Sequence, residues 1–179
     1  EVIRNENNDH VYLRLATSDS SESLIDPREV AYQQQDYRVH TCSGKHLAKL
    51  KILWEQSRQE RHGGDDADFY RDVFSLLTRY QALEGKGFQA GTPSAVYKEL
   101  RRSFGVTGEL FASPLNCYFR DYFSAFPDTD CVFGSLGSFY DMEGLWDPRA
   151  GGSFAGNPPF TQYGILRAAA VTYSIINRG

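Results

Sequence analysis

Asn157-Pro158-Pro159-Phe160 is the stretch of this chain whose residue types and order best suit a reaction. Two consecutive prolines fix φ and remove two backbone donors, so neither a helix nor a sheet ladder can absorb the segment. Its carbonyls must face something else. The Asn157 side-chain carbonyl and the Pro158 backbone carbonyl then form two neighbouring acceptors. Placed on the two hydrogens of a conjugated exocyclic amine such as N6 of adenine, they would draw the nitrogen toward tetrahedral geometry. Its lone pair would then aim at a sulfonium methyl. The gain comes from orientation and fixed dipoles rather than from a strong base. Phe160 supplies a ring on which a base swung out of its strand can stack. For the Asn-Pro dipeptide alone, an ordinary turn explains the residues as well.

The elements around this turn must position it. Ser153-Phe154-Ala155-Gly156 reads as a short buried strand ending at Asn157, and the mostly apolar stretch from Ile165 to Ile176 as a helix. A strand, a rigid polar turn and a helix at the carboxyl edge of an α/β sheet form the place where such folds bind ligands. Upstream, Glu109 to Ala112 reads as a strand and Ser113-Pro114-Leu115 as a turn. Asn116 to Phe126 reads as an amphipathic helix carrying Phe119, Tyr122, Phe123 and Phe126. That order would present backbone N–H groups to an adenosyl cofactor. The usual G-x-G-x-x-G is absent, and a plain strand–turn–helix is the alternative. Asp128 and Asp130 can accept from ribose hydroxyls, or simply form a solvated turn. Cys131 to Ser135 and Ser138 to Asp141 suggest one or two short strands around Gly137, and Leu145 to Gly152 a loop.

Three helices are expected before this. Residues 44–61 can be capped by Ser43 and carry Leu47, Leu50, Leu53 and Trp54 at helical spacing. Gly63-Gly64 ends that helix. Asp65, Asp66 and Asp68 crowd the start of the next, where acidic residues complement exposed N–H groups. Phe69, Val73, Phe74, Leu76, Leu77 and Tyr80 give it a broad apolar face, closed by Gly85-Lys86-Gly87. Thr92-Pro93 opens the third, with Val96, Leu100 and Phe104 on one face and Gly105 as its cap. Its Lys98, Arg101 and Arg102 are candidate phosphate contacts, or solvated surface. Residues 1–43 read as a polar arm. Val11 to Leu15 is one short strand in it, Thr17 to Glu22 a flexible loop, and Tyr32 and Tyr37 are rings that can stack on bases.

Bulk properties narrow the function classes. With 179 residues, 41% of them hydrophobic, the chain can bury the core of one domain or two small ones. The net charge of −4 argues against a large nonspecific nucleic-acid surface but leaves room for a local groove. That groove falls on the middle of the chain: residues 44–105 hold 11 Lys+Arg against 8 Asp+Glu, whereas both flanks are net acidic. Three cysteines without a C-x-x-C pair suit a reducing, intracellular compartment. The four histidines show no ligand spacing, so no metal is expected. No apolar run spans a bilayer, so no membrane partner is expected.

Several blocks together resemble a known family. They are Phe104-Gly105-Val106, Phe111-Ala112-Ser113-Pro114-Leu115-Asn116-Cys117-Tyr118-Phe119-Arg120, Ser124-Ala125-Phe126-Pro127-Asp128-Thr129-Asp130, Phe133-Gly134-Ser135, and Ser153-Phe154 with Asn157-Pro158-Pro159-Phe160. The chain is similar through them to the phosphorylated-CTD-interacting-factor family, over about residues 92–160. The resemblance implies S-adenosylmethionine-dependent N6-methylation of the 2′-O-methyladenosine beside the 7-methylguanosine cap of mRNA. It implies Asn157, Pro158, Pro159 and Phe160 as catalytic residues. It implies Phe111, Ala112, Ser113, Pro114 and Asn116, and also Phe133, Gly134 and Ser135, as cofactor-binding. It further implies a capped mRNA 5′ end and a phosphorylated RNA polymerase II tail as partners, and nuclear residence. No basic cluster in the chain adds to that last point, and no WW module is legible.

The expected fold class is α/β: a Rossmann-like methyltransferase sheet, incomplete in this chain, preceded by a small helical domain. The expected division is an irregular arm over 1–43, a helical domain over 44–105, and the first part of the methyltransferase domain over 106–179. A non-catalytic module binding RNA or a phosphorylated tail, and a DNA adenine N6-methyltransferase, remain the alternatives.

Overall fold

The structure is a computed structural model that describes residues 2–4, 10–14, 39–59, 66–83, 91–142 and 152–177. The chain forms two compact units, Glu1–Glu84 and Gly85–Gly179.

The first unit is a three-stranded antiparallel sheet with two helices. Strands β1 (Val2–Arg4), β2 (His10–Arg14) and β3 (Val39–Ser43) lie in the order β1-β2-β3, with Val2 opposite Leu13 and Val11 opposite Cys42. Val11, Leu13, Val39 and Cys42 are buried. Helix α1 (Gly44–Gln59) follows β3 directly, and Ser43 Oγ accepts from the His46 N–H at 3.2 Å, the expected cap. Leu47, Leu50 and Trp54 bury one stripe of it. Helix α2 (Asp66–Gln81) buries Phe69, Val73, Leu76 and Tyr80 at spacings of 4, 3 and 4, the repeat of a helix face. Trp54 Nε1 donates to Asp72 Oδ2 at 2.8 Å, so the indole is buried with its N–H satisfied. His40 lies within 2.7 Å of Thr78 Oγ1, and burial lowers its pKa.

The second unit is a parallel sheet covered on both faces. Helix α3 (Ser94–Phe104) ends at Gly105, whose φ of 66° is the left-handed cap expected there. Strand β4 (Gly108–Ala112) is central, and β5 (Asp121–Ser124) and β6 (Phe154–Ala155) flank it, both parallel to it. Helix α4 is the four-residue turn Pro127–Asp130, and α5 (Gln162–Ile176) follows β6. On one face α3 packs Tyr97 and Leu100 against Val106, Phe119 and Ala155. On the other, Val171 and Ile175 of α5 meet Phe123, Phe139, Leu110, Phe111 and Phe154. Phe154 and Ala155 therefore serve opposite faces, the period of a strand. Gly108 is required where it is: a Cβ there would lie 2.5 Å from the Phe154 ring and 2.7 Å from the Asp121 carbonyl.

Several expectations are corrected. Asn116 to Phe126 is not a helix; after a turn and an extended run it becomes β5. Glu109 supplies the reason. Its carboxylate is only 2% exposed and accepts from the N–H groups of Tyr118 (2.6 Å) and Phe119 (3.0 Å), donors a helix would have needed for itself. Cys131–Phe133 and Phe139–Asp141 are 3₁₀ turns rather than strands. Glycines at positive φ, Gly134 (91°) and Gly137 (112°), break the extended path between them. On α3 the buried residue is Tyr97, while Val96 and Phe104 are exposed, because the Tyr97 hydroxyl donates to Glu109. Residues 1–43 hold a sheet where an irregular arm was expected, and α3 belongs to the second unit rather than to a domain with α1 and α2. Thr17 to Glu22, Tyr32, Tyr37, Gly63-Gly64, Gly85-Lys86-Gly87 and most of the 145–152 loop lie outside the described residues.

Candidate active site

Because the three strands of the second unit are parallel, their carboxyl ends share one edge. Three of the sequence blocks gather there. β6 ends at Ala155 and passes through Gly156 into Asn157-Pro158-Pro159-Phe160. β4 ends at Ala112 and turns through Ser113-Pro114-Leu115-Asn116. β5 ends at Ser124, whose hydroxyl lies 2.6 Å from that of Ser135. The chain leaves β4 toward β5 on one side and returns as β6 on the other, with Glu109 opposite Ala155. Such a switch of direction marks the usual ligand position at the carboxyl ends of the strands in an open parallel sheet.

The Asn157–Phe160 turn is open. Asn157 and Pro159 are exposed, and Phe160 is 84% exposed, an unusual state for a ring of that size. The Pro159 carbonyl accepts from the Thr161 N–H at 2.7 Å. The Asn157 side chain and the Pro158 carbonyl have no hydrogen-bond partner among the described residues. The turn is anchored at its far side. Thr161 caps α5 by accepting from the Gly164 N–H at 3.0 Å. Gly164 is needed there because a Cβ would approach the Pro159 carbonyl to 2.9 Å. Tyr140 donates its hydroxyl to the Gly164 carbonyl at 3.2 Å, and its ring centroid lies 5.5 Å from that of Phe111. Tyr140 thus ties the helix after the turn to the end of β4, a connection with no signal in the local residue pattern.

The Ser113–Asn116 turn is closed rather than open. Asn116 Oδ1 accepts from both the Ser113 N–H (2.8 Å) and the Ser113 hydroxyl (3.0 Å), while the Ser113 carbonyl accepts from the Asn116 and Cys117 N–H groups. Ser113 and Pro114 are buried and Phe111 and Ala112 half-buried. One amide expected to face a ligand is therefore already satisfied, and Asn116 Nδ2 is the donor left over among the described residues. Phe133 is fully buried, with its carbonyl accepting from the Tyr122 hydroxyl at 2.9 Å; Gly134 caps that turn. Asp130 is also fully buried, which removes it from any ribose, whereas Asp128 is exposed.

The basic residues of α3 divide. Arg102 is held by Glu99 through bonds of 2.6 and 3.0 Å. Lys98 and Arg101 are exposed, with no partner among the described residues. Beneath them the Tyr97 hydroxyl is pushed up to about 12, first by burial and then by its bond to Glu109. Glu109 is the residue that sequence reasoning missed. An acidic residue at the second position of a buried strand was the available signal, since burying a carboxylate requires donors. Among the described residues, no group of three or more His, Cys, Asp or Glu side chains is placed to hold a metal ion. None of the described helices is long and apolar enough to cross a membrane.

The second unit is thus a parallel α/β layer with a polar, aromatic turn exposed at its carboxyl edge. A family model described as "Phosphorylated CTD interacting factor 1 WW domain" matches residues 49–178. The chain belongs to that family. It is 50% identical over 129 residues to a human protein named mRNA (2′-O-methyladenosine-N(6)-)-methyltransferase and 45% identical to the mouse protein of the same name. Each alignment covers 67% of this chain and 17% of the relative, so the chain spans about a sixth of their length.

Proposed function

We propose that the carboxyl edge of the second unit takes part in S-adenosylmethionine-dependent methylation of adenosine N6 in RNA. The substrate is the 2′-O-methyladenosine beside the 7-methylguanosine cap of mRNA. The sheet is read as the first part of a Rossmann-like methyltransferase sheet. One observation carries the reading: among the described residues Asn157 and the Pro158 carbonyl are unengaged acceptors, beside an exposed Phe160 at the end of a parallel strand. The names of the human and mouse relatives supply the substrate class.

In this reading Phe160 stacks on the flipped adenine, while Asn157 Oδ1 and the Pro158 carbonyl accept its two N6 hydrogens. This holds the nitrogen lone pair toward the methyl donor and stabilises the charge that develops on nitrogen. The proton leaves along the bond to either acceptor, to water. The cofactor supplies an electrophilic methyl group. The residues fit such a group by position and polarity. The edge lies at the switch of strand direction, Asn116 Nδ2 is a donor without a partner among the described residues, and Phe111, Ala112, Ser113 and Pro114 form the wall under it. Gly134 and Ser135 extend that wall at the end of β5, and Phe133 supports it from below. Lys98 and Arg101 are the phosphate contacts, with Arg102 joining only by releasing Glu99. A phosphorylated RNA polymerase II tail as a second partner, and nuclear residence, belong to the same reading.

Transfer of labelled methyl to capped RNA beginning with 2′-O-methyladenosine tests it, with uncapped RNA and adenine-containing DNA in parallel. Label on capped RNA alone is the expected result. Equal label on DNA would replace the RNA substrate with a DNA one. Binding of capped RNA without label, unchanged in an Asn157→Ala variant, would favour a non-catalytic module.

A further inference from the structure

One flank of α5 carries a row that the methylation reading leaves unused. Tyr163 is 70% exposed, three residues after Phe160, and Arg167 lies one turn further along the same flank. The Arg167 guanidinium is already oriented. It lies 4.8 Å from the Tyr140 ring centroid and 6.0 Å from that of Tyr163, and its Nη1 donates to the Tyr163 hydroxyl at 3.2 Å. Among the described residues its acidic neighbour is Asp141, at 3.9 Å and well exposed. Arg167 is the sole charged residue from Gln162 to Ile176. The helix therefore offers a lone cation flanked by aromatic faces, continuous with the exposed Phe160 turn.

We propose that Tyr163 and Arg167, backed by Tyr140, form a second nucleotide site, which stacks on the base next to the target in a single strand of RNA. The inference rests on the RNA reading above. Three features select this occupant. A flat exposed phenol and a flat guanidinium both accept a base by stacking, whatever its sequence. The helix carries no acidic residue to repel a phosphate backbone. The row also starts three residues from the ring proposed to hold the flipped base, so a neighbouring base meets it without a long span. The outer face of the same helix, Leu166, Tyr173 and Ile176, is exposed as well but lacks a cation, which makes it an internal control.

The test is binding of a short fluorescent single-stranded RNA to the full chain, with 2-aminopurine placed beside the target adenosine. The aminopurine is quenched when it stacks. We expect Tyr163→Ala and Arg167→Ala each to weaken binding about 5- to 150-fold, the span of one base–aromatic stack, and to relieve the quench. Arg167→Ala should also lower the salt slope by about one phosphate contact. Tyr163→Phe keeps the ring and should keep the quench; Leu166→Ser should change neither reading. Circular dichroism confirms that each variant is folded. If Tyr163→Ala and Arg167→Ala bind and quench like the parent while Phe160→Ala does not, the second site is wrong and the RNA reading stands. If the parent chain binds no RNA, both fall together.

Discussion

Removing the Glu109 carboxylate tests most directly how the site is held together. Glu109 sits near the start of the central strand, two residues before Phe111, and three donors converge on it: the Tyr97 hydroxyl and the N–H groups of Tyr118 and Phe119. In Glu109→Ala the buried Phe119 N–H and Tyr97 hydroxyl both lose their acceptor, each at a cost of about 1–3 kcal/mol, or about 2–6 kcal/mol together, with the Thr92 side chain beside Tyr97 recovering part of the second. Tyr118 adds less because its surroundings are half open. Against the 5–15 kcal/mol typical of a domain, this is enough to loosen the whole second unit. Glu109→Gln keeps an oxygen for the two amides but replaces charge-assisted bonds with neutral ones, at about 1–2 kcal/mol. It should also bring the Tyr97 phenol down from about 12 while leaving it above an ordinary tyrosine, because burial is the larger cause of its rise. Urea unfolding followed by amide exchange at residues 117–119 reads the stability, and an ultraviolet titration reads the phenol. A loss below about 1 kcal/mol in Glu109→Ala, with 118 and 119 still protected, would mean that the carboxylate does not hold this segment.

Gly108→Ala should destabilise the second unit by about 1–3 kcal/mol, because its Cβ meets the Phe154 ring and the Asp121 carbonyl; urea unfolding measures it. Gly164→Ala pushes against the Pro159 carbonyl and should cut methyl transfer at least ~10-fold, the scale on which a small misplacement of reacting groups acts, with stability changed far less. His40 has a lowered folded pKa, so protonation favours the unfolded chain. Stability of the first unit should be full above about 6.5 and fall as pH drops from there toward the folded value, as Trp54 fluorescence in a Trp146→Phe background would report. A rise in stability over that window would contradict the burial of His40. Asp141→Asn removes the carboxylate 3.9 Å from Arg167 and should tighten RNA binding a few-fold at low salt, lost at high salt.

Local rules of sequence carried the helices well. The spacing of Leu47, Leu50 and Trp54, the Ser43 cap and the Gly105 cap all act over a few residues, and each occurs as read. The turn at Asn157 was legible for the same reason: two prolines leave few alternatives. What failed depends on partners distant in the chain. The aromatic-rich run after Asn116 has a helical pattern, and what makes it extended lies upstream: Glu109 accepts the Tyr118 and Phe119 amides, and β4 pairs with Asp121–Ser124. The first sheet needs β3 to be brought to β2 across residues 15–38, a separation that alternation within one strand does not announce. Within the site, Asn157 and Phe160 are exposed. Phe133 and Ser113 face inward, because a block's residue types do not say which of its atoms the fold will use for itself.

The most direct measurement is single-turnover methyl transfer to capped RNA beginning with 2′-O-methyladenosine, comparing the parent with Asn157→Ala under saturating RNA and methyl donor. The variant should still bind the RNA but transfer at least ~100-fold more slowly, the usual loss when one preorganised polar group is removed. Transfer at the parent's rate by Asn157→Ala would contradict it.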